Sequence, residues 1–167
     1  MGLFFFWRVP ERMKRRVARE IAIQSLYQMQ MNEVSSHDAI VAAVTEAEHD
    51  NEAELKVEGE AIAIEFIQEL VEGTASRMKA IDGMLTEYLK GWKIDRLSKI
   101  DREVLRLAAY EMVYRDDAPP KVVVNEAIEL AKHFGTEESG KFVNGVLGKM
   151  ILELASLKQK YAGTSAP

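Results

Sequence analysis

"KGWKIDRLSKIDREVLRLAAYEMVYRDDAPP", residues 90–120, contains a break, a helix start, a periodic body and a stop. Gly91 marks the break, and Trp92 and Ile94 supply apolar anchors ahead of the next element. Ser98 with Asp101 three residues on has the form of a capping box in which Asp stands for the usual Glu, so a helix begins there. Ile100, Val104, Leu107, Ala108 and Met112 then recur at three- and four-residue spacing, which makes one buried helical face. Pro119 and Pro120 end the run, because the residue before a proline is pushed out of α geometry.

The same periodicity extends in both directions. Downstream, Val124, Ala127, Ile128, Ala131 and Phe134 form a second face, closed by Gly135 at a C′ position. Val143, Val146, Leu147, Met150, Ile151 and Leu154 line a third. Upstream, Ala18, Ala22, Ser25, Leu26 and Met29 place a helix within residues 12–31. A long helix is predicted from about Glu58 through Phe66, Leu70 and Val71, with a bend near Gly73, on to Ile81, Leu85 and Leu89. Residues 33–60 are acidic and poorly periodic, predicting a short helix near 37–47 and then a solvated loop. There is no alternating strand pattern and no solenoid-length repeat. The predicted fold is all-α, six to seven helices in two small helical bundles packed together.

With 47% apolar and 29% charged residues the chain reads as globular and not as disordered. It has no cysteine, which excludes disulfides, thiolate metal sites and a Cys nucleophile and suits a cytoplasmic setting. The net charge of −5 conceals an uneven distribution. Residues 1–20 hold six basic and two acidic side chains, residues 21–94 five basic and fourteen acidic, and residues 95–167 eleven of each. A basic arm is therefore attached to an acidic body, an arrangement suited to a polyanion. The aromatic run Phe4–Trp7 precedes the positive charges, the reverse of a secretory signal, and is far too short to span a membrane.

Enzyme signatures are missing: there is no phosphate-binding glycine loop, no G-x-S-x-G and no H-E-x-x-H. His37 and His49 flank the acidic stretch at irregular spacing, and His133 sits where a helix C-terminus favours positive charge. No metal site, cofactor or catalytic residue is predicted. On the first helix, at 100° per residue, Arg12, Arg16, Arg19, Ile23 and Tyr27 share a sector of about 80°, predicting a solvent-facing stripe. Arginines grouped with an aromatic suit single-stranded RNA. Gly145 and Gly148, in mid-helix, predict a neighbouring helix or a partner's backbone at close approach. Lys141, Phe142 and Asn144 lie near that helix's N-terminus, where free N–H groups favour phosphate, although Phe142 also fits a core position.

Three stretches, "MKRRVAREIAIQSLYQ" (13–28), "RLSKIDREVLRLAAYEMVY" (96–114) and "PPKVVVNEAIELAKHFGTEESGKFVNGVLGK" (119–149), resemble the NusB family of bacterial transcription antitermination factors, in its order and spacing. Val124 and Gly148 depart from the family pattern, Gly148 replacing a usual Asp. The resemblance covers residues 13–157, leaving 1–12 as an extension expected to be disordered and 158–167 as a frayed tail. It implies a non-enzymatic protein that pairs with the small-subunit ribosomal protein NusE, binds boxA RNA of ribosomal RNA leader transcripts and helps RNA polymerase read through terminators. By motif position it implies RNA contacts at Lys14, Arg15, Arg16 and Arg19 and at Lys141 and Phe142, with Glu138 an acidic position at the RNA edge. Tyr27, Asp95, Asp101 and Arg106 map to the partner-binding surface. Two alternatives stand beside this: an RNA-docking module of an rRNA methyltransferase, for which the chain leaves no room, and a homodimeric module that buries the same arginines.

Overall fold

The computed structural model describes residues 11–50 and 60–163, with side chains described for 15–47 and 64–163. Every regular element among the described residues is helical, and eight are α-helices, slightly more than the six to seven expected. The predicted disorder of the extension falls outside the described residues as far as residue 10, while Glu11 and Arg12 already belong to the first helix. Most of the predicted solvated loop, 51–59, also lies outside them.

Two compact units divide the chain, residues 1–72 and 73–167. In the first, α1 (Glu11–Asn32) and α2 (Ser36–Asp50) pack on each other, joined by a short link in which Glu33 takes a positive φ of 51°. The Ser35 hydroxyl accepts the Asp38 N–H at 3.1 Å, satisfying one of the free donors at the start of α2. Ala18, Ala22, Leu26, Ala39, Ile40 and Ala43 are buried here, as are Ile67, Leu70 and Val71 of α3 (Glu60–Ser76), which runs on into the second unit.

The second unit is built around α5 (Lys99–Tyr114), which is buried continuously from Glu103 to Val113. A helix covered on every side is a core helix. Packed on it are α4 (Met78–Thr86), α6 (Pro120–Phe134), α7 (Glu137–Leu152), the short α8 (Leu154–Leu157) and a π-helical turn, Lys158–Ala162. That turn falls in the segment expected to fray. Lys158 pairs with Asp116 at 2.9 Å and Lys160 with Glu87 at 3.9 Å. Residues 164–167 lie outside the described residues.

The predicted bend near Gly73 occurs four residues later, at Arg77, whose φ of −113° and ψ of 16° separate α3 from α4. Gly73 meets a different need: a Cβ there would lie 2.1 Å from the Tyr110 hydroxyl oxygen, so only glycine admits the tyrosine. Half of the predicted capping box forms. The Ser98 hydroxyl accepts the Asp101 N–H at 3.1 Å, but Asp101 Oδ1 is buried without a partner. Aspartate is one methylene shorter than the glutamate that completes the box, and it does not reach back. Pro119 and Pro120, expected to end the helix before them, do not: α5 stops earlier, at Tyr114 with Arg115 extended as its C-cap. The prolines instead begin the next helix, Pro119 as N-cap and Pro120 at the first helical position of α6.

Candidate nucleic-acid interface

The basic arm occupies the first turns of α1. Lys14 lies in the helix, with its side chain outside the described residues. Arg15 is half-buried, its guanidinium 5.2 Å from the centre of the Phe66 ring, and Arg16 is exposed. Arg19 is only 3% exposed and Ile23 is fully buried, so the predicted solvent-facing stripe is corrected. Residues 18, 19, 21, 22, 23, 25 and 26 are all buried, and at 100° per residue they cover a continuous arc of about 200°. The helix is therefore covered from more than one side, and the cover reaches into the sector that holds Arg19 and Ile23. Arg15, Arg16 and Arg19 all have partners within the chain.

The second basic group stands at the start of α7. The Thr136 hydroxyl caps this helix by accepting the Ser139 N–H at 3.3 Å. Glu138 and Lys141 are both well exposed and pair at 3.5 Å one turn apart, while Phe142 is half-buried. An exposed pair of this kind is weak and readily exchanged for another anion. No neighbouring helix of the chain approaches Gly145 or Gly148 closely: a Cβ at Gly145 would meet nothing within 4 Å, and one at Gly148 only Asn144 Oδ1 at 3.9 Å. Both look outward. The close approach occurs instead at Gly140, where a Cβ would lie 2.8 Å from Lys132 Cγ of α6.

The four residues mapped to the partner surface differ in exposure. Tyr27 is half-buried on α1, and Asp95 is exposed on a 3-10 turn, Ile94–Arg96. Asp101 is half-buried at the start of α5. Arg106 is 6% exposed and already engaged. Its Nε and Nη2 donate to the two oxygens of Asp82 at 2.8 and 2.7 Å, and Nη1 donates to Glu103 at 3.1 Å. Arg102 Nε donates to the same Glu103 carboxylate at 3.1 Å. Burial pushes the Glu103 carboxyl above the usual glutamate range against the pull of Arg106 and Arg102. Burial also pulls Arg106 down, but Asp82 and Glu103 outweigh it and hold the guanidinium above its ordinary value. Arg106 is thus held inside the unit and does not present its guanidinium edge to solvent. Sequence reading missed Asp82 and Glu103; the spacing of Glu103 and Arg106 hints at their pairing, while the contact with Asp82 has no local signal.

No group of three or more His, Cys, Asp or Glu among the described residues could hold a metal ion. No described helix is long and apolar enough to cross a membrane. The sequence profile of the NusB family matches residues 16–152. The chain belongs to the NusB family. The NusB transcription antitermination protein of Myxococcus xanthus is 43% identical over 140 residues, 84% of this chain and 96% of its own length. The structure of T. maritima NusB matches with a TM-score of 0.71 at 33% identity, covering 87% of this chain and 93% of that one. A structure of antitermination factors NusB and NusE in complex with dsRNA matches with a TM-score of 0.69 at 26% identity, covering 89% and 98%. Membership of the NusB family makes this a transcription antitermination protein and not an enzyme.

Proposed function

We propose that this chain binds boxA RNA of ribosomal RNA leader transcripts as a heterodimer with NusE, in the cytoplasm, and so helps RNA polymerase read through terminators. The observation that carries the reading is the match to NusB in a complex with NusE and RNA, which extends over nearly the whole chain. The local chemistry supports it. Arg16 and Lys141 are exposed cations, and Lys141 lies near the N-terminus of α7, where backbone N–H groups also favour phosphate. Arg15 and Phe142, both half-buried, border them with planar groups suited to stacking on bases. Lys14 adds charge to the arm, and Arg19 supports the helix that carries it. Glu138 competes with RNA for Lys141 and moderates affinity. Tyr27, Asp95 and Asp101 contribute to the NusE surface, and Arg106 fixes the shape of that surface from within.

The test is a binding titration of single-stranded boxA RNA with the chain, alone and with NusE. Lys14, Arg15, Arg16 and Lys141 neutralising about four phosphates give a slope of log affinity on log salt near −3 for a single strand. NusE is expected to tighten binding. Salt-independent affinity, or affinity unaffected by both NusE and Arg16→Ala, overturns the reading.

A further inference from the structure

The segment between α4 and α5 is anchored without Trp92. Tyr88, Leu89 and Leu97 are buried, whereas Trp92, expected as an anchor too, is 60% exposed. An indole left in water adds nothing to the core, although burying it would be favourable in proportion to the apolar area removed. Its exposure is fixed by a tight turn. The Trp92 N–H donates to the Leu89 carbonyl at 3.0 Å, and the two residues between them, Lys90 and Gly91, take φ of 39° and 86°. Positive φ at both central positions is the pattern of a type I′ turn, where asparagine and glycine are the usual residues. Lys90 occupies the first of them despite the steric cost of a Cβ in that region. The turn is held on both sides. Before it, the Tyr88 hydroxyl donates to Glu153 just beyond α7 at 2.6 Å, and after it the Arg96 N–H donates to the Lys93 carbonyl at 2.9 Å.

The residues around the indole determine what it can take. Lys90 and Lys93 are both exposed, and among the described residues neither has a carboxylate within ion-pair distance. A flat aromatic face with an unpaired cation on either side matches a nucleotide. The ring stacks on a base, and the ammonium groups take the neighbouring phosphates. A protein partner fits less well, because lysine is depleted where aromatic anchors are buried in protein interfaces. Glu153, which fastens the turn, lies 12 residues beyond Lys141, about 18 Å along the helix at 1.5 Å per residue. The turn and the Lys141–Phe142 contact are thus within reach of a single strand.

We propose that Trp92 is a stacking platform for a base of single-stranded RNA, with Lys90 and Lys93 gripping the phosphates beside it. The inference rests on the RNA reading above and adds to it a site at the far end of α7 from Lys141.

Trp92 itself reports whether it is occupied. Trp7→Phe leaves it the only tryptophan in the chain, and boxA RNA should quench its emission in step with binding followed by anisotropy of the labelled RNA. Trp92→Ala should weaken binding about five- to a hundredfold, the loss of one base stack, and leave the salt slope unchanged. Trp92→Phe should retain part of the affinity. Two added phosphate contacts carry the wild-type salt slope from about −3 to about −4, and Lys90→Gln/Lys93→Gln should return it to about −3. These variants should melt within about 2 °C of the wild type, as exposed residues do. Emission that saturating RNA leaves unchanged, or wild-type affinity in Trp92→Ala, overturns the proposal. The RNA reading then stands without it if Arg16→Ala and Lys141→Ala still weaken binding. If Trp92→Ala spares RNA binding and instead weakens NusE binding without RNA, the turn is a protein anchor and the proposal also falls. If the wild type fails to bind this RNA even at low salt, the RNA reading falls and takes the platform with it.

Discussion

Arg106→Ala tests whether the arginine mapped to a partner surface is instead part of the fold. In the wild type its guanidinium is shared between both oxygens of Asp82 and the carboxylate of Glu103, whose side chain is 0% exposed. Removing it leaves Glu103 with Arg102 alone and Asp82 without its bidentate partner. Breaking a buried ion pair from one side costs about 3–5 kcal/mol. For a chain of this size each kcal/mol lowers the melting temperature by about 2–4 °C, so the expected drop is about 6–20 °C. Thermal and urea unfolding followed by circular dichroism measure it. Glu103 also sets a pH signature. Its folded-state carboxyl already titrates above the usual range, and losing Arg106 removes a group that pulls it down. A raised carboxyl means the folded state holds more protons than the unfolded one, so its stabilising contribution is present below the ordinary glutamate value and is lost as pH rises through the folded one. The deficit of Arg106→Ala relative to wild type should therefore shrink as pH falls towards the ordinary glutamate range, and Arg106→Ala/Glu103→Gln should recover part of it at neutral pH. A variant within about 1 kcal/mol of wild type matches a surface arginine, and that result would refute the argument, as would a deficit unaffected by pH or by Glu103→Gln.

Three further predictions address other parts of the fold. Gly73→Ala pushes a methyl group into Tyr110, with ring atoms as well as the hydroxyl inside 3 Å; overpacking should cost about 1–3 kcal/mol in urea unfolding, recovered in part by Tyr110→Leu but little by Tyr110→Phe. Ser98→Ala removes the acceptor of the Asp101 N–H and should lower stability by about 1 kcal/mol, while Ser98→Asp, another good cap, should preserve it. Arg16→Ala should weaken RNA binding and leave the melting temperature within about 2 °C, as for an exposed residue, whereas Arg19→Ala should lower both because Arg19 is buried.

Most of the helices were legible because their apolar residues recur at helical spacing, and because Ser98 and the two prolines are chemically unambiguous boundary signals. The exception to that clarity was the break between α3 and α4, assigned to Gly73. Glycine permits a bend but does not require one, and here it answers to a tyrosine 37 residues away in sequence. Gly140, Gly145 and Gly148 make the same point within one helix. The first faces a lysine side chain, the second faces open space and the third meets only Asn144 Oδ1 at 3.9 Å, and nothing adjacent in sequence tells them apart. Gly135 does stop its helix, but with φ −121° and not in the left-handed conformation, and a Cβ there would meet Ser139 Oγ at 2.6 Å. Glycines are readable as exceptions to a pattern, whereas their reasons are tertiary.

The arginines pose the same difficulty where it bears on function. Arg16, Arg19 and Arg106 carry the same group, and motif position alone assigns all three to surfaces. Burial divides them. A guanidinium removed from water must be repaid by fixed partners, as Asp82 and Glu103 do for Arg106, and those partners then hold it away from any ligand. An exposed cation such as Lys141, held only by an exchangeable pair with Glu138, can instead transfer its contact to a phosphate. It follows that loss of RNA or NusE binding on neutralising a basic residue does not by itself identify a contact. For Arg19 and Arg106 a shape change predicts the same loss and also predicts lower stability, while for Arg16 and Lys141 the loss should come with an intact melting curve. For the RNA-contacting residues the salt slope should change as well. Binding, melting and salt dependence measured on the same variants therefore distinguish the residues that touch the ligand from those that hold the surface in place.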